Sequence, residues 1–183
     1  MRQAAKKRRA ELAEVKRDTA QKELARRLLT SDFLEEAGSI GLYASYGSEV
    51  ATDGIAHALL QTSKVISFPR VVKDTVGLSM SFFQVKNSEE LSPGYKGILE
   101  PSRDETRVLH PELLVVPGLA FAANGGRLGY GAGTYDRYVG TCTEKPLLVA
   151  LAFECQVFGE VPTLPHDIYM DIIVTEQRTI LCR

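Results

Sequence analysis

The chain has 183 residues, of which 44% are apolar and 25% are charged, and its formal net charge is -1. The length fits one domain, and the composition excludes a wholly disordered, collagen-like or disulfide-scaffold protein. The N-terminus lacks the apolar core of a secretory signal and no apolar stretch is long enough to cross a bilayer, so we expect a cytoplasmic protein without membrane contact.

Residues 1–29 form a basic arm, with ten Lys/Arg against four Asp/Glu, whereas the rest of the chain carries 12 against 19. Good helix formers dominate the arm, and its apolar positions predict one long helix or two consecutive helices, with Asp18 or Thr19 as the cap of the second. Such a helix binds nucleic acid, an acidic membrane surface or ligand phosphates, or it is simply a solvated face.

The first half of the chain then alternates between predicted strands and a helix. Residues 40–44 are a short apolar run typical of a buried strand, and a helix is predicted from Thr52 or Asp53 to Leu60. A second strand, 65–68, is expected to stop at Pro69, and a third covers 78–85.

In the second half, residues 112–116 end in Pro-Gly and predict a central parallel strand. A helix is predicted over 134–139, and further strands over 147–153 and 172–175. Runs that are apolar on both faces and alternate with helices indicate a parallel sheet covered on both sides. We therefore predict a single three-layer α/β domain over residues 1–183, with a mainly parallel central sheet and the basic arm as an N-terminal helix or helix pair.

A glycine-rich segment, 124–137, has five glycines in nine residues and lies between two of these elements. Because glycines have no side chain, the backbone amides of this segment can approach an anion closely. A helix that starts near Thr134 would direct its dipole at the same anion. Arg127 and Arg137 could add bidentate phosphate contacts. The segment lacks the Gly-Lys-Ser/Thr ending of a P-loop and the context of a dinucleotide fingerprint.

Two carboxylates, Asp136 and Asp167, follow strands whose ends should meet at this edge, and such a pair suits Mg²⁺ beside a phosphate. Alternatively, Asp136 serves the helix dipole and Asp167 is a solvated loop acid. If Asp136 binds metal, Asp136→Asn should lower turnover and leave the melting temperature nearly unchanged, because Asn caps helices as well as Asp. Glu49, after the first strand, is a candidate for recognising a polar ligand, or an exposed loop acid.

Several motifs, in order along the chain, resemble the signature of the 5-formyltetrahydrofolate cyclo-ligase (methenyltetrahydrofolate synthetase) family. They are Glu49-Val50-Ala51-Thr52, Ile98-Leu99-Glu100-Pro101, the run from Val116 to Phe121, the run from Arg127 to Arg137, and a C-terminal pattern with His166-Asp167. The resemblance implies a fold like that of the ribose-phosphate isomerase and CoA-transferase group (NagB/RpiA-like).

The resemblance also implies a reaction: ATP- and Mg²⁺-dependent cyclisation of 5-formyltetrahydrofolate to 5,10-methenyltetrahydrofolate, with release of ADP and phosphate. The formyl oxygen takes the γ-phosphoryl group, and N10 then attacks the formyl carbon. Positioning and charge neutralisation dominate such phosphoryl transfer, so no Ser/His/Asp or Cys/His constellation is needed.

Site residues are implied by position in the motifs. The ATP-binding residues would be Arg2, Lys6, Arg127, Leu128, Gly129, Tyr130, Gly131, Ala132, Gly133, Thr134 and Tyr135. The folate-binding residues would be Ala44, Glu49, Tyr130, Gly131, Ala132, Gly133 and Thr134. Asp136 and Asp167 would hold Mg²⁺, and Tyr135 and Arg137 are assigned to catalysis.

The chain departs from the family pattern at three places. First, the family's N-terminal Lys, which precedes the position of Arg2, has no counterpart here, and Lys6 or Arg9 could compensate for its loss. Second, Ala122 stands where the family has Asp. Third, Thr134 stands where the family has a Tyr near the folate. These changes leave an alternative function open: the protein is a catalytically weak paralogue that binds folate or nucleotide in a regulatory role. Nucleic-acid binding by the arm is disfavoured because no aromatic residue interleaves its charges, and a monomer is expected.

Overall fold

The computed structural model describes residues 1–73 and 77–182. The helices are α1 (Arg2–Ala10), α2 (Glu14–Leu29), α3 (Asp32–Glu36), α4 (Asp53–Leu60) and α5 (Thr134–Thr141). The strands are β1 (Ser39–Gly41), β2 (Val65–Lys73), β3 (Leu78–Gln84), β4 (Leu91–Pro93), β5 (Leu99–Pro101), β6 (Leu113–Val116), β7 (Ala120–Ala122), β8 (Arg127–Leu128), β9 (Leu147–Leu151), β10 (Val157–Phe158), β11 (Ile172–Val174) and β12 (Thr179–Leu181).

The central sheet has the strand order β12-β11-β9-β6-β1-β2-β3. The four inner pairings, from β11 through β9, β6 and β1 to β2, are parallel, and both outer pairings are antiparallel. Every residue of β6 is buried, as expected for a strand covered on both faces. The predicted mainly parallel sheet with a central strand near 112–116 is confirmed.

Helices and loops cover the two faces of the sheet and make three layers. On one face, Leu24 and Leu28 of α2 and Ile55 of α4 pack with strand residues such as Val115 and Val149. On the other, Tyr138 and Val139 of α5 join strand residues that include Leu114 and Ile173. Successive side chains of a strand point to opposite faces of the sheet, so the strands contribute buried side chains to two separate apolar cores.

The basic arm is a helix pair, but the break lies earlier than predicted. The second helix begins at Glu14, with Ala13 at its N-cap, so the assignment of Asp18 or Thr19 as the cap is wrong. The Thr19 hydroxyl instead donates to the Val15 carbonyl inside the helix. Leu12, which lies in the break, packs against the main core, and this tertiary contact sets the position of the turn.

The prediction that β2 stops at Pro69 is also wrong. The strand continues to Lys73 because its second half pairs with β3, through Pro69–Phe82 and neighbouring pairs. β1 pairs with β2 over Val65–Ser67 and then ends. On the side away from β3, β2 has no paired strand beyond Ser67 among the described residues. Side chains bond there instead: the Val71 amide donates to Oε1 of Glu100 at 3.3 Å. A proline is tolerated in such an edge-like segment.

The parallel strands β1, β6, β9 and β11 all end at one edge of the sheet, where the topology of an open α/β sheet places ligands. The loops that leave β1 and β6 and the segment that leads into β11 meet there. Among the described residues, none of the helices has the length and apolarity that a bilayer crossing requires.

Candidate functional site

A cavity of about 400 Å³ lies at this edge of the sheet. We name two of its walls: the glycine-rich wall, residues 127–136, and the His-Asp wall, residues 162–167. The lining consists of Arg2, Pro117, Arg127, Leu128, Gly129, Tyr130, Gly131, Ala132, Gly133, Thr134, Tyr135, Asp136, Pro162, Thr163, Leu164, His166 and Asp167. The fold thus gathers most of the predicted ATP residues and both predicted metal ligands around one cavity.

Glycines shape the turn from β8 into α5. Gly131 has φ +101° and Gly133 has φ +63°, values that L side chains rarely adopt, and Gly133 is the N-cap of α5. A Cβ at Gly133 would lie 3.0 Å from the Arg137 guanidinium. The first amides of any α-helix lack carbonyl partners in a preceding turn, so the cavity borders a helix N-terminus suited to an anion.

Arg127 and Asp136 form a buried ion pair within the glycine-rich wall. Nη2 of Arg127 donates to Oδ1 and Oδ2 of Asp136 at 3.0 and 2.8 Å, and the two side chains are 6% and 13% exposed. The Ile168 amide donates to Oδ1 at 3.1 Å. Burial raises the pKa of Asp136, but the Arg127 charge and these hydrogen bonds outweigh it, so the pKa of this carboxyl lies below its usual value.

This ion pair changes the expectation that Asp136→Asn would leave the melting temperature nearly unchanged. The substitution would leave the Arg127 guanidinium buried without its counter-charge, which costs stability whatever the role of Asp136 in catalysis. Nη1 of Arg127 also donates to the Pro117 carbonyl at 3.2 Å, so the arginine ties the end of β6 to the start of α5.

Asp167, on the His-Asp wall, is more accessible, with 25% of its side chain exposed. Its Oδ2 accepts from the Leu164 amide at 2.6 Å, and Oδ1 lies 3.9 Å from Nε2 of the exposed His166. Within residues 1–73 and 77–182, no group of three or more His, Cys, Asp or Glu side chains is arranged to hold a metal ion. A cation here would therefore depend on oxygens from a ligand or from water.

The predicted folate residues Ala44 and Glu49 lie on the loop after β1 and do not line this cavity. Glu49 nevertheless contacts the glycine-rich wall: its Oε1 accepts from the Tyr130 hydroxyl at 2.5 Å, and its Oε2 accepts from the Tyr46 amide at 2.9 Å. Burial and the bond to Glu49 raise the pKa of Tyr130 to about 12. Burial and the charge of Glu49 likewise raise the pKa of Tyr135, so both phenols are neutral hydrogen-bond donors at physiological pH.

Helix α1 lies against the glycine-rich wall. Nε of Arg2 donates to the Gly129 carbonyl at 3.1 Å, and Nζ of Lys6 lies 5.7 Å from the centre of the Tyr130 ring. Arg2 lines the cavity and Lys6 does not. Sequence reasoning missed the contacts of Arg9, although Arg2, the fully buried Ala5 and Arg9 are spaced as residues on one helix face, a signal that this face is docked.

Arg137 lies away from the cavity lining. Its guanidinium donates to the Leu78 carbonyl at 2.9 and 3.3 Å and to the Ala132 carbonyl at 2.8 Å, and it lines a separate hollow between α5 and β3. Of the two side-chain departures noted above, Thr134 lines the cavity, whereas Ala122 is buried in β7 outside it.

An open α/β sheet with a glycine-rich turn, a helix N-terminus and two carboxylates around one cavity at its carboxyl edge defines a protein built to bind an anionic ligand. The particular family follows from the whole chain. It belongs to the 5-formyltetrahydrofolate cyclo-ligase family, whose model matches residues 1–176.

Curated relatives cover most of the chain at modest identity. A 5-formyltetrahydrofolate cyclo-ligase of Haemophilus influenzae is 28% identical over 171 residues, which is 91% of each chain. A probable cyclo-ligase of Caenorhabditis elegans is 27% identical over 85% of this chain and 81% of its own. A cyclo-ligase of Arabidopsis thaliana described as mitochondrial is 32% identical over 70% of this chain and 53% of its own.

Among solved structures, the 5,10-methenyltetrahydrofolate synthetase of Aquifex aeolicus superposes with a TM-score of 0.86. It is 28% identical, and the superposition covers 100% of this chain and 91% of the other. The predicted α/β architecture and the predicted family are both confirmed.

Proposed function

We propose that the chain catalyses the ATP-dependent cyclisation of 5-formyltetrahydrofolate to 5,10-methenyltetrahydrofolate, with release of ADP and phosphate. The observation that carries this proposal is that residues 127–136, which are the family motif without Arg137, form one wall of a cavity at the ligand-binding edge of the sheet. The monomeric state of the enzyme stays a prediction. Its cytoplasmic location stays a prediction.

The proposed reaction has two steps. The formyl oxygen attacks the γ-phosphorus of ATP and ADP leaves, which gives an imidate-like phosphate on the formyl carbon. N10 then attacks that carbon, loses its proton, and the phosphate departs with the former formyl oxygen. Both steps depend on the alignment of two bound reactants and on stabilisation of charge, and neither requires a protein nucleophile.

The nucleotide phosphates are assigned to the glycine-rich wall. Its backbone amides, the N-terminus of α5 and the guanidinium of Arg2 offer donors to an anion there, with Lys6 close by. Nε of Arg127 is buried and has no hydrogen-bond partner within the described parts of the chain, so a ligand oxygen would satisfy it.

The acidic pair fits one Mg²⁺ when the nucleotide supplies further oxygens. Among the described residues, Oδ1 of Asp167 has Nε2 of His166 at 3.9 Å and no hydrogen bond, and Asp136 would share a lone pair not used by Arg127 and Ile168. Mg²⁺ in such sites takes one or two carboxylates together with phosphate oxygens and water. When bound, the ion would neutralise charge on the triphosphate, and Asp136 and Asp167 would hold it.

The folate side is assigned to Ala44, Glu49 and the turn from Tyr130 to Thr134. Glu49 already accepts from Tyr130, so the carboxylate and the ring form one polar unit beside the turn. The neutral phenol of Tyr135 is suited to donate a hydrogen bond to developing negative charge rather than to act as a base. The catalytic role of Arg137 also stays a prediction, because its guanidinium would have to break its hydrogen bonds to two carbonyls before it could reach a phosphate.

The test follows the ultraviolet absorbance of the methenyl product when the protein is supplied with 5-formyltetrahydrofolate, ATP and Mg²⁺. Omission of any one of the three should abolish product formation. Product formed without nucleotide would contradict the phosphoryl-transfer proposal.

A regulatory paralogue is the second candidate, and it rests on Thr134, which lines the cavity where the family pattern has a second aromatic ring. This candidate predicts that the protein binds 5-formyltetrahydrofolate or ATP with no measurable turnover in the same assay. Light scattering on the purified protein tests the prediction that it is a monomer. Cell fractionation tests the predicted cytoplasmic location.

A further inference from the structure

Arg9, in the last turn of α1, is a buried arginine that neither the motif nor the cavity lining includes. It is 4% exposed, although it is flanked by exposed basic residues on the same helix. Its guanidinium donates from Nε to the Ser48 hydroxyl at 2.9 Å, from Nη2 to the Tyr130 hydroxyl at 2.9 Å, and from Nη1 to the Gly118 carbonyl at 3.4 Å. Three segments remote in sequence therefore meet on one side chain.

Each of these contacts leads to a segment that borders the site. Tyr130 belongs to the glycine-rich wall, and its hydroxyl donates a hydrogen bond to Glu49. Arg9, the phenol and the carboxylate therefore form a continuous chain of hydrogen bonds. Ser48 directly precedes Glu49 in the turn. Since a buried guanidinium is a planar fork with fixed donor directions, these contacts fix the mutual geometry of the turn and the phenol.

Neighbouring side chains hold Arg9 itself in place. Arg17 of α2 donates to the Arg9 carbonyl at 2.7 Å and to the Ser48 carbonyl at 3.1 Å. Nε2 of Gln156 donates to the Gly118 carbonyl at 3.0 Å, beside the donor of Arg9. The arginine is thus restrained on both sides, as expected for a side chain with a defined orientation.

This geometry argues against Arg9 as a substitute for the missing N-terminal lysine. A phosphate contact needs donors that face the cavity, whereas the guanidinium of Arg9 is buried, is committed to three protein acceptors and lies outside the lining. Arg2, by contrast, lines the cavity and is exposed.

We propose that Arg9 is a positioning residue that holds the Tyr130 hydroxyl and the Ser48–Glu49 turn in the geometry that binds the folate substrate. This inference rests on the function proposed above, since it assigns Glu49 and Tyr130 to the folate. Helix α1 then serves both ligands, with Arg2 at the nucleotide side and Arg9 acting through Tyr130 on the folate side.

The experiment measures equilibrium binding of 5-formyltetrahydrofolate and of ATP, each alone, to the full chain. The variants are Arg9→Lys, Tyr130→Phe and the double variant, and melting curves establish a temperature at which each is folded. Lysine keeps the charge of Arg9 but cannot reach three acceptors as a fork. Lys7→Gln is the matched control, because Lys7 is an exposed neighbour on the same helix whose ammonium lies 3.7 Å from the exposed Glu11.

Arg9→Lys and Tyr130→Phe should each weaken folate binding by about tenfold, the effect of losing one charge-assisted hydrogen bond or its geometry. The double variant should be no more than about tenfold weaker, because both changes break one chain of contacts. ATP binding should change by less than about twofold, and Lys7→Gln should match the parent for both ligands.

Four results would overturn the inference. Folate binding by Arg9→Lys equal to that of the parent would show that charge alone matters. A loss confined to ATP would make Arg9 a phosphate ligand, and independent effects that multiply in the double variant would separate Arg9 from Tyr130. Unchanged folate binding in Tyr130→Phe would overturn it even if Arg9→Lys failed to fold.

Failure of the inference is distinguishable from failure of the proposed function. If the parent protein neither binds 5-formyltetrahydrofolate nor forms the methenyl product, the proposed function itself is wrong. If the parent does both and the Arg9 and Tyr130 variants behave like it, only the role of Arg9 is wrong.

Discussion

The two walls of the cavity each contribute one carboxylate, yet they hold it in different ways. On the glycine-rich wall, Asp136 is paired with buried Arg127 and accepts from a backbone amide. On the His-Asp wall, Asp167 accepts one amide in its own turn and keeps an oxygen near an exposed histidine. Two residues assigned to one ion therefore differ in what else they do: Asp136 also stabilises the fold, and Asp167 is available to a ligand.

The largest expected effect is that of Asp136→Asn. It should destabilise the protein by about 3 kcal/mol, because it leaves the buried Arg127 without its counter-charge, and a loss of that size lowers the melting temperature by about 6–12 °C in a chain of this length. Turnover should fall by about 100-fold or more, the scale for loss of one element of transition-state charge stabilisation. Thermal melts and the absorbance assay, run well below the melting temperature, measure the two effects.

An unchanged melting temperature for Asp136→Asn would show that the Arg127 pair contributes nothing to folding. Near-parent turnover at low Mg²⁺ would remove Asp136 from the site. The comparison of the two walls fails in either case.

The same substitution on the other wall should separate the two effects. Asp167→Asn should lower turnover by about 100-fold and change the free energy of unfolding by less than about 1 kcal/mol, since no buried charge loses its partner. A higher Mg²⁺ concentration should recover part of the activity. A destabilised Asp167→Asn protein with full activity would reverse the comparison.

A smaller effect is expected from Thr134→Tyr on the glycine-rich wall. An added ring that stacks on the pterin contributes about 1–3 kcal/mol, so KM for the folate should fall about fivefold or more, with KM for ATP unchanged. Thr163→Tyr, on the His-Asp wall, is the matched control and should not lower KM for the folate. A change confined to ATP would show that position 134 faces the other ligand.

The smallest effect concerns pH. The pKa of Asp136 is lowered in the folded protein, so its contribution to stability is fully present above the ordinary carboxyl value and is lost as the pH falls through the lowered pKa. The difference in unfolding free energy between the parent and Asp136→Asn should therefore narrow below about pH 4. Denaturant titrations at several pH values measure it, and a difference that stays constant or widens at acid pH would contradict the assignment.

Much of the fold follows from local patterns, because a continuous apolar run such as Leu113–Val116 is stable only as a strand covered on both faces. Other features, such as where a strand or helix begins and ends, depend on tertiary contacts with neighbouring elements and could not be predicted from local patterns. The end of β1 at Gly41 decides that Pro69 is tolerated in β2, and the contact of Leu12 with the core decides where α2 begins.

The candidate site divides in the same way. The site glycines and carboxylates could be predicted from the sequence because they come after the ends of predicted strands. The Arg127–Asp136 pair and the contacts of Arg9 join residues through the tertiary fold, 9 positions apart in the first case and up to 121 in the second. Nothing in residue type alone distinguishes the buried Arg9 from the exposed Arg8 beside it.

The central claim, cyclisation through phosphorylation of the formyl oxygen, is tested most directly by isotope transfer. The protein is supplied with ATP, Mg²⁺ and 5-formyltetrahydrofolate that carries ¹⁸O in the formyl group, and the released phosphate is analysed by mass spectrometry. The account predicts that each phosphate released with methenyl product carries the label. Unlabelled phosphate formed alongside the product, with the label recovered in water, would contradict it.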